Sequence, residues 1–314
     1  MYIDVLIDIN ALEDKTFTYK VPSLFKDKIK VGTRVTVPFG RQQKKGIVLN
    51  IKNNYNEDYN LKEILNLLDE DSVLNEEMLE LGKYMSNTYL SSLMSCYQSM
   101  IPSALKFNKQ NVGIKYVTLI KKIKEPLNKS RGENTIFSLF RDLDTVEKAK
   151  IKNSRILKRL IDDGYLKELK EEKYRISKKV EKEELKTLTK TQLEVFNNMK
   201  SSDKEITLLR GITGSGKTEI YMHLINEVLK EGRGAILLIP EISLTTQLIA
   251  RFRNVFQDEI AIFHSALSHG EKYDEYRKIK NGLSNLVIGT RSAIFAPLKD
   301  IGLIIIDEEH EEYY

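Results

Sequence analysis

The run Gly211-Ile212-Thr213-Gly214-Ser215-Gly216-Lys217-Thr218 sets glycines, a lysine and a hydroxyl at the spacing that binds polyphosphate. Glycines there let successive backbone N–H groups turn inward and cradle phosphate oxygens at the start of a helix. Lys217 would reach the β- and γ-phosphates, and the Thr218 hydroxyl would hold Mg²⁺. Further along, LIIIDEEH puts carboxylates directly after four aliphatic residues. Acids following a strand are ordinarily a solvated loop. In the same sheet as a phosphate loop they gain a chemical role: Asp307 holds Mg²⁺ through water, and Glu308 polarises the attacking water as a general base.

Such a site needs a sheet to hold it. From Leu188 the chain alternates short aliphatic runs (ITLLR, AILLIP, IAIFH, LVIGT, LIIID) with amphipathic segments. That texture predicts a parallel sheet covered on both faces by helices. ITLLR would be the strand entering the phosphate loop and EIYMHLINEVLK the helix leaving it. At the other end of the chain, YIDVLIDI, RVTVPFG and GIVLNI put apolar residues at period two, with Pro-Phe-Gly marking a turn. EEMLELGKYMSNTYLSSLMSCYQSM then reads as one helix ending at Pro102. Between these regions, Ile156, Leu157, Leu160 and Ile161 recur at helical spacing, Asp163-Gly164 breaks the helix, and YLKEL–EEK–YRIS reads as a two-stranded hairpin. Helices, a basic helix and a hairpin are the order of a winged helix-turn-helix, with a small helical linker as the plainer alternative. The expectation is a multidomain α/β chain: a β-rich module at 1–105, a winged helix at 106–186 and a phosphate-loop domain at 187–314.

Composition narrows the setting. Hydrophobic residues at 41% and charged residues at 30% describe a core-forming protein. No run approaches the roughly 20 apolar residues of a membrane span, and no basic segment precedes an apolar run at the start. A single cysteine, Cys96, permits no internal disulfide and no cysteine-built zinc site, which points to the cytoplasm. Residues 1–105 carry 12 basic and 14 acidic side chains, a net of −2; residues 106–186 carry 23 and 13, a net of +10; residues 187–314 carry 15 and 18, a net of −3. The middle third holds the whole excess, as an electrostatic footprint for nucleic acid would, or a solvated lysine-rich surface. His223, His264 and His269 read as structural or surface residues, and Cys96 as a packed thiol.

DEEH after a hydrophobic strand resembles motif II of superfamily 2 helicases, which implies that His310 couples nucleotide state to the nucleic-acid groove. Gln192 in LTKTQLEVF is similar to the glutamine that reads adenine there. LIPEISLTTQL and IGTRSAIFAPL fall where those helicases place backbone-binding loops, so Ser243, Thr245, Thr290, Arg291 and Ser292 would contact phosphates without base readout. Together GITGSGKTEIY, LLIPEISLT, LVIGTRSAIFAP and IIIDEEH resemble the PriA family of replication-restart helicases. TFTYKVP, RVTVPFGRQQKKGIVL and NLKEIL resemble that family's domain for capturing the 3′ end of a nascent strand, and the basic middle is similar to its winged helix.

The resemblance implies a 3′-end pocket lined by Phe17, Gly40 and Lys62. The family often has aspartate after that phenylalanine; here the residue is Thr18, whose hydroxyl offers the terminal sugar a weaker, neutral bond. It further implies an ATP- and Mg²⁺-dependent 3′→5′ DNA helicase acting on branched forks and single-stranded DNA, with single-strand-binding protein, primosome and helicase-loader proteins as partners. A zinc module of paired cysteines and a second RecA-like lobe belong to the family pattern and are not in this sequence. That lobe supplies an arginine worth about 10³–10⁵ in rate. The chain is therefore expected to be an amino-terminal fragment, poorly active alone, with Tyr313 and Tyr314 opening an aromatic loop. Two rival readings are another superfamily 2 translocase, such as a restriction or fork-remodelling enzyme, and a DNA-binding module that holds ATP without turning it over.

Overall fold

Ile3, Val5 and Ile7 are buried at alternate positions, and a segment of that period is a strand with one face to cover. The structure, a computed structural model, describes residues 1–9, 14–55, 61–107, 114–141, 143–176, 181–212, 214–241 and 244–311. Five strands, β1 (Tyr2–Ile7), β2 (Thr16–Lys20), β3 (Arg34–Phe39), β4 (Gln42–Lys52) and β5 (Asn66–Leu67), form an antiparallel sheet in the order β2-β1-β4-β3-β5. Gly40 turns the chain between β3 and β4 at φ 58°, a left-handed conformation that glycine adopts without penalty. Ile3, Val5, Val35, Val37, Val48 and Tyr19 fill one core of this module. Leu6 and Ile47 belong to a second core, under the helices that follow.

Those helices differ from the sequence expectation. Instead of one there are two, α1 (Glu76–Tyr89) and α2 (Leu93–Met100), because Leu90 adopts a left-handed conformation at φ 50° and ends the first. The second start is well capped. Ser92 accepts from Ser95 N–H, and the Asp14 carboxylate, far away in sequence, accepts from Leu93 N–H at 2.8 Å. A side chain from another part of the fold thus decides a helix boundary that local periodicity runs straight through.

Residues Gly113–Ser177 form a separate compact unit. It contains β6 (Tyr116–Lys122), α3 (Arg131–Phe137), β7 (Thr145–Glu147), α4 (Ser154–Asp162) and β8 (Leu166–Glu172), with the antiparallel order β7-β6-β8. Ile120, Ile136, Phe140, Leu157, Leu160 and Leu166 make its core. The expected YLKEL–EEK–YRIS hairpin is absent from the described residues. The chain stays extended through Glu172, and β8 pairs along its length with the upstream β6, from Tyr116↔Glu172 to Lys122↔Leu166. A ladder already satisfied by β6 leaves no reason to turn at Glu171.

The remainder of the chain rejoins the amino-terminal module: Met1–Val112 and Lys178–Tyr314 are one compact unit. Here follow α5 (Lys190–Lys200), α6 (Lys217–Lys230), β9 (Gly234–Leu238), α7 (Thr246–Phe256), β10 (Ile260–Phe263), α8 (His269–Lys280), β11 (Leu286–Gly289) and β12 (Ile301–Ile306). The four strands are parallel, in the order β10-β11-β9-β12. Tyr221, Met222 and Ile225 of α6, with Phe252 and Phe256 of α7, cover one face over Leu237, Ile262, Ile288 and Ile305. Ile279 of α8, Ala293 and Leu298 cover Ile236, Ala261 and Val287 on the other. Tyr276 of α8 enters the core of α1 and α2, its hydroxyl donating to the Val73 carbonyl at 3.1 Å, and Lys280 donates to the Ser72 carbonyl at 2.6 Å. The β-rich module and the parallel sheet therefore share buried side chains.

Two expectations for this sheet fail at its β12 edge. ITLLR forms no strand: among the described residues, 206–210 joins no ladder, and Ile206 and Leu208 are 89% and 72% exposed. A strand exists only where a neighbour takes its hydrogen bonds, and β12 pairs with β9 alone. Nor is β12 covered on both faces, since Ile305 is buried while Ile304 and Ile306 are 45% and 49% exposed. Among the described residues no helix is long and apolar enough to cross a membrane.

At the opposite edge, β10 has an outward N–H at Ile262 that donates to Glu275 Oε2 of α8 at 2.7 Å. Glu275 is 1% exposed and, among the described residues, its Oε1 has no hydrogen-bond partner, with Lys278 Nζ 3.8 Å away. Burial pushes its carboxyl above the ordinary glutamate range, against the pull of Lys278 and the Ile262 N–H. An acid whose folded-state pKa is raised contributes stability that is complete below its unfolded pKa and is lost as pH rises through the folded value. Glu275→Gln keeps an acceptor for Ile262 and removes the charge. Calorimetry should show the variant melting with wild type near pH 4 and several degrees above it near pH 8; a difference independent of pH would refute the assignment.

Candidate nucleotide and DNA-end sites

The phosphate loop begins where α6 begins. Gly216 occupies the cap of α6 at φ 85°, a left-handed conformation that glycine adopts without penalty, and the Gln192 amide nitrogen comes within 2.2 Å of where a Cβ would stand. The first amides of a helix have no partner within it and carry its positive dipole end, so the groups around Lys217 and Thr218 suit an anion. Lys217 Nζ donates to the Gly211 carbonyl at 2.8 Å, across the loop. Thr213 of this loop lies outside the described residues. Gln192 serves the loop as well as its own helix. Its side-chain oxygen accepts from Thr189 N–H at 2.9 Å in a capping box, and its amide nitrogen lies 3.5 and 3.4 Å from the Ser215 and Gly216 carbonyls.

Asp307 leaves the end of β12 next to this helix. Tyr221, one turn beyond Lys217 on α6, donates its hydroxyl to Asp307 Oδ1 at 3.1 Å. Burial raises the Asp307 carboxyl above the ordinary range and Glu308 adds to that, while the Tyr221 bond and the Lys217 charge oppose it. The Tyr221 phenol is itself pushed up, first by burial and then by Asp307. Glu308 follows at φ 53°, a left-handed conformation that costs a non-glycine residue about 1–3 kcal/mol and is concentrated at functional sites. His310 is exposed in the same turn. Thr218 and Asp307 would be the Mg²⁺ ligands: a hydroxyl and a carboxylate are hard oxygen donors, and the Tyr221 bond draws that carboxylate to α6. Bound there, Mg²⁺ would neutralise charge on a transferring phosphate. Among the described residues, no group of three or more His, Cys, Asp and Glu could hold a metal.

Parallel strands bring their carboxyl ends to one edge, and two further predicted segments meet there. Thr245 follows β9 and caps α7, its oxygen accepting from Leu248 N–H at 3.2 Å while the exposed hydroxyl keeps its own proton to donate. Thr290, Arg291 and Ser292 follow β11, with Arg291 and Ser292 exposed. Ser243, like Tyr313 and Tyr314, lies outside the described residues. His223 Nε2 contacts the Lys186 carbonyl at 2.9 Å, and burial lowers His264. Burial also raises the Cys96 thiol, which disfavours the reactive thiolate.

A second site sits on the β-rich module. Phe17, Thr18, Gly40 and Lys62 line one cavity of about 610 Å³, with Tyr19, Phe39, Lys52 and Tyr55 among the other walls. Phe17 meets Phe39 edge-on at 5.2 Å between ring centroids, which fixes an aromatic wall. Sequence reasoning missed Phe39, Lys52 and Tyr55 here, and Tyr221 at the nucleotide site. Tyr221 had a signal, since position i+4 from Lys217 shares its helix face. The pocket residues had none, because strand register decides them.

Residues 4–102 match the family described as 3'DNA-binding domain (3'BD), and residues 189–312 match the DEAD/DEAH box helicase family. Over its whole length the chain is 33% identical to the replication restart protein PriA of Bacillus subtilis (strain 168), covering 49% of that protein. It is 29% identical over its whole length to the replication restart protein PriA of Chlamydia muridarum, covering 44% of it. A stretch of 130 residues is 45% identical to the replication restart protein PriA of Helicobacter pylori. The chain spans about half the length of the first two.

Proposed function

Because the chain belongs to the family of the replication restart protein PriA, we propose that it serves an ATP-dependent 3′→5′ DNA helicase that recognises stalled or branched forks and promotes primosome assembly in the cytoplasm. The observation that carries this reading is that Phe17, Thr18, Gly40 and Lys62, residues from three separate segments, line one cavity. An aromatic wall, a hydroxyl and a cation suit the last base, the terminal sugar and the adjoining phosphate of a DNA strand. At the other site the α6 amides and Lys217 hold the nucleotide phosphates, Gln192 reads adenine, Glu308 takes the proton of the attacking water, and His310 passes nucleotide state to the DNA loops. Thr245, Thr290, Arg291 and Ser292, with Ser243, hold the single-strand backbone. Residues 106–186, though the expected hairpin is absent from the described part, act as a winged-helix-like DNA-binding domain through their net charge of +10, following the end-binding module (1–105) and preceding the helicase lobe (187–314) in sequence. Single-strand-binding protein and primosome loaders are the expected partners.

One observation favours a second reading, an ATP-binding DNA module without turnover. Among the described residues, 206–210 lead into the phosphate loop without joining a ladder of the sheet, so the loop lacks a strand on its entry side and is held there by the packing of Leu209 and the Lys217 bond to Gly211.

Binding to forks tests the first reading. A fork whose nascent strand ends in a 3′-hydroxyl at the junction should bind more tightly than one ending in a 3′-phosphate. Phe17→Ala should weaken the hydroxyl-ended fork about 5- to 150-fold, the equivalent of about 1–3 kcal/mol for one stacked base. The salt dependence should stay as steep as in wild type, because the +10 segment and its phosphate contacts are untouched. Equal wild-type affinity for both forks would sink the end-reading role.

A further inference from the structure

Behind the pocket wall lies a carboxylate that belongs to no motif. Asp4 sits in β1, the strand between β2 and β4, directly across from Thr18 on one side and Asn50 on the other. Its side chain is 14% exposed. Thr18 donates its hydroxyl to Asp4 Oδ1 at 2.8 Å, Asn50 donates to Oδ2 at 3.3 Å, and Lys52 Nζ stands 2.7 Å from Oδ2. Two of these three neighbours, Thr18 and Lys52, line the cavity, whereas Asp4 does not. Burial raises the Asp4 carboxyl, but the bonds from Lys52, Thr18 and Asn50 outweigh it and hold the group below the ordinary aspartate range. It is therefore ionised at neutral pH and can only accept.

That fixes what the pocket offers. With its own proton committed to Asp4, Thr18 Oγ1 presents lone pairs to a ligand, so it accepts from a hydroxyl and repels an anion. Lys52, paired with the same carboxylate, contributes less positive charge than an isolated ammonium would. Without Asp4, Lys52 and Lys62 would make the cavity a phosphate trap. We propose that Asp4 is the positioning residue that sets the end chemistry of this pocket: it orients Thr18 as an acceptor and offsets Lys52, so that a 3′-hydroxyl is selected over a 3′-phosphate. This rests on the reading of the cavity as a DNA 3′-end site.

The test measures binding of the 314-residue chain to three otherwise identical forks ending in 3′-hydroxyl, 3′-deoxy or 3′-phosphate at the junction. Wild type should prefer the hydroxyl about tenfold over deoxy, and more over phosphate, as a bond worth about 1.4 kcal/mol would give. Asp4→Asn should collapse or reverse the hydroxyl-to-phosphate ratio while leaving 3′-deoxy affinity unchanged. Thr18→Val, which keeps shape and charge, should bring hydroxyl and deoxy ends to equal affinity. Adding Thr18→Asp to Asp4→Asn returns a carboxylate to the neighbourhood and should restore discrimination against phosphate. If Asp4→Asn keeps the wild-type ratios, or loses affinity equally for all three ends, the positioning role is wrong although the pocket reading survives. A wild type indifferent to all three ends would remove the end-reading itself.

Discussion

Replacing Lys217 with alanine is expected to weaken Mg²⁺-ATP binding at least about 10²-fold in a calorimetric titration. Two charge-assisted bonds to phosphate oxygens, at about 1.5–3 kcal/mol each, would be lost. The fold should tolerate the change. Lys217 is only half-buried at the helix start, its ammonium bonds the Gly211 carbonyl, and the loop keeps its glycines and the contact with Gln192. Binding should therefore fall while the thermal transition stays put. Glu308→Gln provides the complementary case: it removes a proton acceptor and no phosphate contact, so ATP affinity should match wild type even where turnover is abolished. Equal ATP affinity in wild type and Lys217→Ala would remove the phosphate-cradle assignment.

A larger effect on stability is expected from Asp69→Ala. Arg34 in β3 is 3% exposed, and its guanidinium meets the Asp69 carboxylate at 2.5 Å (Nη2 to Oδ1) and 2.9 Å (Nε to Oδ2). The Arg34 backbone N–H also donates to Asp69 Oδ2 at 2.9 Å, and its Nη1 donates to the Leu105 carbonyl. The pair thus ties the β-rich sheet to the segment behind α2. Removing the carboxylate leaves a buried guanidinium without its counter-charge, and breaking a buried pair typically costs about 3–5 kcal/mol. Urea unfolding should shift to lower midpoints by a corresponding amount. Replacing Arg34 and Asp69 together by leucine should recover part of the loss, because no unpaired charge remains although the backbone N–H at position 34 and the Leu105 carbonyl lose their partners. A single Asp69→Ala variant as stable as wild type would show that the pair contributes nothing. Val73 and Leu74, just beyond Asp69, pack with Tyr276 of α8, so the damage should extend to the parallel sheet.

What could be read without coordinates was chemistry written in short spacings. Gly216-Lys217-Thr218 encodes a left-handed cap followed by a helix, and that is local geometry: α6 starts at Lys217 because glycine alone tolerates φ 85° before it. AILLIP, IAIFH, LVIGT and LIIID each contain a parallel strand, because unbroken aliphatic runs have few other stable fates. The identical argument failed for ITLLR, where composition was right and the neighbour was missing. A strand's identity is held by its partner's hydrogen bonds, and no local pattern reports who the partner is. For that reason β8 pairs with β6 rather than with YRIS, and for that reason Asp14 ends up capping α2. The cavity on the β-rich module divides along the same line. Phe17, Thr18, Gly40 and Lys62 could be named from residue type and resemblance, but nothing in YIDVLIDI marks Asp4 as different from any solvated strand residue. Register sets Asp4 between Thr18 and Asn50, and the burial that follows turns an ordinary carboxylate into the group controlling its neighbours' hydrogen bonds.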